Sequence, residues 1–271
     1  AYHVSNTAFP TAPMVQAAGT SSVRGSEFVE TDEGIVIFEG SPHKEKVLYG
    51  NLLWTGALAL SKFFATASAA PRVQGRACLE LGAGTGVVGL TLGRLGAAPV
   101  FITDNEPELV TLMAKNIEAN QLSHCVQTRQ LDWADGSTFM QQMPDIVVAA
   151  DVLYEGDGSI FCHALSQHLR EGGEAYVANH HNPKKCQATL GFIRSAISMG
   201  LRLERLEDCN GFALGSLQIS AAPFGGNFQP LEGSADAICN LVRDAKFHEP
   251  DLSPMEHIQI FRLSKFMGAK L

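Results

Sequence analysis

The sequence predicts an α/β fold, a mostly parallel sheet with helices on both faces, led by a short N-terminal β extension. Three observations predict it. Short apolar runs alternate with stretches at helical spacing through the middle of the chain. The first of those runs stops at a glycine cluster. Hydrophobic residues make up 45% of the 271, enough to bury a sizeable core. Strands and helices in strict alternation are the mark of a parallel sheet covered on both sides, whose ligands bind beyond the strands' carboxyl ends.

Residues 1–28 are rich in Ala, Thr, Ser, Pro and Gly without periodicity, and read as a flexible tail. The domain proper is expected over 29–271. Val29 to Phe38 looks like a strand pair turning at Glu33-Gly34. A helix-like stretch near Thr55 puts Leu60, Phe63 and Phe64 on one side. Ala77–Leu81 is a strand, Val87–Leu95 a helix and Val100–Thr103 the next strand. Asn105 and Pro107 open a helix carrying Leu109, Leu112, Met113 and Ile117. Ile146–Ala150 reads as a buried strand, Ile160–Leu169 as a helix closed by Gly172-Gly173, and Glu174–Ala178 as a further strand. Phe192, Ile193, Ala196 and Ile197 mark another helix, and Leu201–Leu206 and Ile258–Leu263 alternate with period two. Residues 209–254 look like an insertion between the last two strands.

Charge and composition exclude several classes. A formal charge of −8 opposes a sequence-independent grip on nucleic acid. No apolar run approaches the ~18 residues that span a bilayer. Six widely spaced cysteines form no C-x-x-C pair, so free thiols and no metal site are expected. The first residues lack a secretory signal's charged and apolar regions, although the chain begins at Ala1 rather than Met. Together these predict a cytoplasmic, membrane-free monomer.

Glu80-Leu-Gly-Ala-Gly-Thr-Gly86 is the strongest local signal. Glycines at this spacing let a backbone turn tightly and approach a ligand, and the following helix offers free N–H groups. Asp104 ends the next strand, twenty positions after Gly84, where a carboxylate can accept from ribose hydroxyls. Gly84 to Gly89 also satisfies the dinucleotide fingerprint G-x-G-x-x-G. A pyrophosphate on that turn would face Glu80, however, whereas the sulfonium and amino group of S-adenosylmethionine suit acidic neighbours. Leu131-Asp132-Trp133 adds an acceptor for an adenine amino group and a ring beside the base. The residues favour the methyl donor.

Taken in order, Gly50-Asn-Leu-Leu-Trp54, the glycine motif, Asp104, Asp132-Trp133 and Asp151-Val-Leu-Tyr154 resemble methyltransferase family 16, mostly protein-lysine methyltransferases. The likeness covers roughly 34–206. It implies a Rossmann-like, seven-stranded class I methyltransferase fold, and S-adenosyl-L-methionine converted to S-adenosyl-L-homocysteine. It also implies a protein substrate bearing the target lysine. By resemblance Trp54 contacts the cofactor, with Glu80, Gly82, Ala83, Gly84, Asp104, Asn105, Asp132, Trp133 and Ala150 completing its site. Asp151 and Tyr154 lie at the substrate channel as candidate catalytic residues.

A lysine ammonium has no lone pair, so it must lose a proton against a reference pKa of about 10.4 before attacking the methyl group. A nearby carboxylate favours the charged amine, so Asp151 is expected to orient rather than deprotonate it. His180, His181 and Asn182 read as a solvated polar loop at the active-site edge. Some relatives are called nicotinamide N-methyltransferases, which keeps a small amine open as the substrate. The residues also leave open a NAD-binding oxidoreductase and a non-catalytic cofactor-binding scaffold.

Overall fold

The computed structural model describes residues 28–31, 33–40, 49–66, 70–180, 186–206, 228–244 and 258–265. The expected tail, apart from Phe28, lies outside them, as do His181, Asn182 and much of 209–254. β1 (Phe28–Glu30) and β2 (Val36–Phe38) pair antiparallel as the sequence predicts. Two asparagines of the helix α4 (Pro107–Ala119) and its C-cap seize the free edge of β2. Asn116 and Asn120 accept from the N–H groups of Phe38 and Val36 at 2.8 and 2.9 Å and donate to their carbonyls. Each amide thus stands in for a neighbouring strand.

The main sheet holds β3 (Cys78–Leu81), β4 (Val100–Asp104), β5 (Val126–Gln130), β6 (Ile146–Ala150) and β7 (Glu174–His180), then β8 (Arg202–Leu206), β9 (Phe228–Pro230) and β10 (Ile258–Ser264). Their order is β5-β4-β3-β6-β7-β10-β8-β9. The first five are parallel, and β10 runs antiparallel between β7 and β8. The expected seven strands are therefore eight. The extra one, β9, comes from the 209–254 stretch and pairs antiparallel with β8. Its Pro230 lacks an N–H and is tolerated because the strand is short and at the edge.

α1 (Thr55–Ala65), α2 (Ala70–Val73), α3 (Val87–Arg94), α5 (Ser159–His168), α6 (Gln187–Ser198) and α7 (Ala235–Arg243) complete the elements. Side chains alternate across the sheet. Ile146, Val148, Tyr176 and Ala178 join one apolar core with Leu60, Phe64, Val88 and Leu92. Leu79, Leu81, Val147, Ala149 and Val177 face the other way, onto Phe161, Phe192 and Ile238. The chain winds outward from β3 through β4 to β5, then restarts at β6. The carboxyl ends of β3 and β6 therefore border a crevice at the switch in strand order. Among the described residues no helix is long and apolar enough to cross a membrane.

Candidate functional site

The crevice is a cavity of about 590 Å³, and all twelve site residues expected from the sequence line it. Trp54, Glu80, Gly82, Ala83, Gly84, Asp104, Asn105, Asp132, Trp133, Ala150, Asp151 and Tyr154 are brought together from well-separated stretches of chain.

Strand alternation turns Glu80 toward the helix that follows it. Its Oε2 accepts from Gly89 N of α3 at 2.7 Å, and the residue is only 2% exposed. Burial pushes its carboxyl up to about 8, against the opposing pull of the Gly89 N–H. Glu80 thus holds the start of α3 in place under the glycine loop. Asp104 accepts from Gly84 N at 3.1 Å and from Glu106 N at 3.3 Å, and burial raises its pKa too. Gly84 sits at φ +55, where a Cβ would lie 2.8 Å from Gly50 O. A Cβ on Gly50 would in turn lie 2.5 Å from Leu109 Cδ1 and 3.3 Å from Gly84 Cα, so the one-turn helix Tyr49–Asn51 rests backbone to backbone on the loop.

Asp132 anchors the turn after β5, accepting from Ala134 N at 2.9 Å. Trp133 stands edge-on to Phe161, ring centres 5.1 Å apart, and against the backbone of Gly82. Opposite, Trp54 precedes α1 and donates through Nε1 to Tyr49 O at 2.8 Å. Tyr49 bridges Trp54 and Tyr154, with ring centres 6.4 and 6.0 Å away. Tyr154 is 64% and Tyr49 55% exposed, so this aromatic group forms the mouth. Desolvation, followed by the charges of Glu155 and Asp104, raises the Tyr154 pKa, which keeps its phenol neutral and unsuited to act as a base.

Asp151 follows β6 at φ +54, a left-handed conformation costly for a residue with a side chain. Its Oδ2 accepts from Gly56 N at 2.7 Å, and Oδ1 lies 2.6 Å from His180 Nδ1. The carboxylate expected to meet an amine therefore already holds two protein donors. His180 corrects the sequence reading of a solvated loop: it ends β7, and its side chain is 19% exposed. Beside it, Asn179 accepts from Leu153 N at 3.1 Å, fixing the segment between Asp151 and Tyr154. Sequence reasoning missed Asn179 and Tyr49, and placed His180 at the active-site edge without giving it a partner.

The described lining residues include five acidic side chains, Glu80, Asp104, Glu106, Asp132 and Asp151, of which Glu80, raised to about 8, is mostly neutral near pH 7, and neither lysine nor arginine. Such a wall suits a cationic ligand and repels a pyrophosphate.

Known proteins bear on this geometry. The chain is 26% identical over 180 residues to the protein N-terminal and lysine N-methyltransferase EFM7 of Gibberella zeae, covering 58% of this chain and 67% of that one. Over 118 residues it is 34% identical to the protein-lysine methyltransferase METTL21E of Mus musculus, covering 40% and 47%. The protein N-lysine methyltransferase METTL21A of Danio rerio is 35% identical over 107 residues, covering 38% and 47%. In most of these matches the chain spans about half the length of its curated relative. A solved chain from Streptococcus mutans described as a candidate SAM-dependent methyltransferase shares the fold, with TM-score 0.53 at 12% identity over 88% of this chain and 55% of that one. Residues 41–184, just over half of the sequence and the span that holds every one of the twelve candidates, match the family described as lysine methyltransferase. The chain belongs to that lysine methyltransferase family.

Proposed function

We propose that the chain transfers a methyl group from S-adenosylmethionine to the side-chain amine of a lysine on another protein. The observation that carries this reading is one cavity whose described lining, acidic and without lysine or arginine, meets Asp151 and an aromatic mouth.

The described residues fit the methyl donor. Asp104 would accept from the ribose hydroxyls, Asp132 and Trp133 would flank the adenine, and the loop held by Glu80 would take the amino-acid end. Bound there, S-adenosylmethionine supplies an activated methyl group, so the protein's task is alignment. A dinucleotide fits less well. Asp104 already engages Gly84 N, a donor that a pyrophosphate would need.

Tyr49 and Tyr154 offer ring faces to the stem and head of an entering lysine, and Trp54, packed on Tyr49, would meet the cofactor beside them. Asp151 orients the amine with the lone pairs left free by Gly56 and His180, an ionised carboxylate having about four in all. The ammonium proton must leave, to water at the exposed mouth, before the new N–C bond forms.

The test combines purified chain, methyl-tritiated S-adenosylmethionine and cell lysate. Label should appear in lysine of a discrete protein, and Asp151→Asn should remove it. Transfer to nicotinamide or free amines with no labelled protein would overturn the reading.

A further inference from the structure

Asp151 depends on a residue that the methyl-transfer reading leaves without a task. Three chain segments converge at His180. Asp151 follows β6, His180 ends β7, and Thr55 and Gly56 open α1 immediately after Trp54. His180 Nδ1 lies 2.6 Å from Asp151 Oδ1, and Nε2 lies 2.5 Å from Thr55 Oγ1. An ionised carboxylate only accepts, so the hydrogen between Nδ1 and Oδ1 belongs to the ring. The Thr55 hydroxyl both donates and accepts, so it can serve Nε2 in either protonation state. Both ring nitrogens are engaged by protein, leaving neither directed at a substrate.

The far side of Asp151 is equally confined. A Cβ on Gly56 would lie 2.5 Å from Asp151 Oδ2, so a glycine is required for that N–H to reach the carboxylate. The Asp151 side chain is 6% exposed and its backbone N–H donates to Ala178 O at 2.9 Å. Without the imidazole, the carboxylate would hang from Gly56 by one oxygen. Its terminal torsion is soft, so it would swing.

We infer that His180 is a positioning residue for methyl transfer: it clamps Asp151 against the start of α1 and thereby aims the free lone pairs of Asp151 at the incoming amine. This rests on the function proposed above. It adds a residue that acts through Asp151 and ties the acceptor wall to the segment carrying Trp54.

The test compares His180→Ala with His180→Asn, whose side-chain amide puts an N–H near the place of Nδ1. On the lysate protein labelled by the wild type, at saturating S-adenosylmethionine, His180→Ala should lower the transfer rate by roughly 30- to 100-fold. Its Kd for S-adenosylhomocysteine should stay within about twofold, because the hydrogen bonds of Glu80, Asp104 and Asp132 are all kept. His180→Asn should recover most of the rate. A rate unchanged in His180→Ala, no recovery in His180→Asn, or a parallel loss of S-adenosylhomocysteine binding would each overturn the assignment. A second arm needs no substrate. In the ¹⁵N-labelled free protein the Gly56 amide resonance should move in His180→Ala and return toward its wild-type position in His180→Asn. A Gly56 signal indifferent to both variants would refute the clamp even if the wild type methylates lysine. A wild type that labels no protein would refute the functional reading instead.

Discussion

On the proposed cofactor wall the partners are close in sequence: Glu80 and Gly89 are nine positions apart, Gly84 and Asp104 twenty. On the acceptor wall Asp151 reaches Gly56 across 95 positions, and His180 reaches Thr55 across 125. The first wall is one strand, turn, helix and next strand folding on one another. The second is assembled only once β6, β7 and α1 have come together. The contrast in span separates what each wall does when damaged. A defect in the local wall should show in cofactor binding and stability, and one in the assembled wall should show in the rate.

Asp151→Asn is the sharpest break. It keeps the shape but alters the group that meets the amine. The rate of transfer should fall about 100-fold or more, while the Kd for S-adenosylhomocysteine stays within ~3-fold. Steady-state kinetics beside calorimetry would check this, and a matching loss of affinity would erase the distinction between walls. Gly84→Ala should act the other way. It forces a side chain into φ +55 against Gly50 O, which costs about 1–3 kcal/mol. S-adenosylhomocysteine affinity should fall by about tenfold or more, since the loop that would receive it shifts. Unaltered affinity would mean the loop does not bind the cofactor.

Asn120→Ala probes a region outside both walls. Losing the buried partner of the Val36 N–H and C=O should cost about 1–3 kcal/mol of stability and leave S-adenosylhomocysteine binding untouched. Denaturant melts would measure it.

A last prediction concerns pH. The Glu80 carboxyl is raised in the folded protein from an ordinary 4.5 to about 8, chiefly by burial. A raised carboxyl means that the folded state holds the proton more tightly. Its contribution to stability is full below about pH 4.5 and is lost as pH rises through about 8. Between pH 5 and 8 the melting temperature of the wild type should therefore fall more than that of Glu80→Gln. Identical slopes would mean that Glu80 does not titrate in this window.

The same difference in span governs what could be read from the chain. The parallel strands and their helices were legible because period and spacing are local, and the glycine loop with Asp104 follows from one strand–helix–strand unit. β9 escaped because Phe228–Pro230 is too short to alternate, and it becomes a strand only by pairing with β8. The asparagine clip on β2 escaped because side chains, spaced 78 and 84 positions from their targets, replace a strand edge. His180 looked like a loop residue for the same reason. Nothing near it in sequence foretells Asp151 or Thr55, and only the sheet order makes them neighbours.

Whether this acidic cavity receives a cationic adenosyl donor is tested most directly by calorimetry. S-adenosylmethionine should bind at one site per chain, Asp104→Ala should weaken it by at least ~10-fold, and NAD should give no saturable heat. Saturable NAD binding without any binding of S-adenosylmethionine would contradict the account.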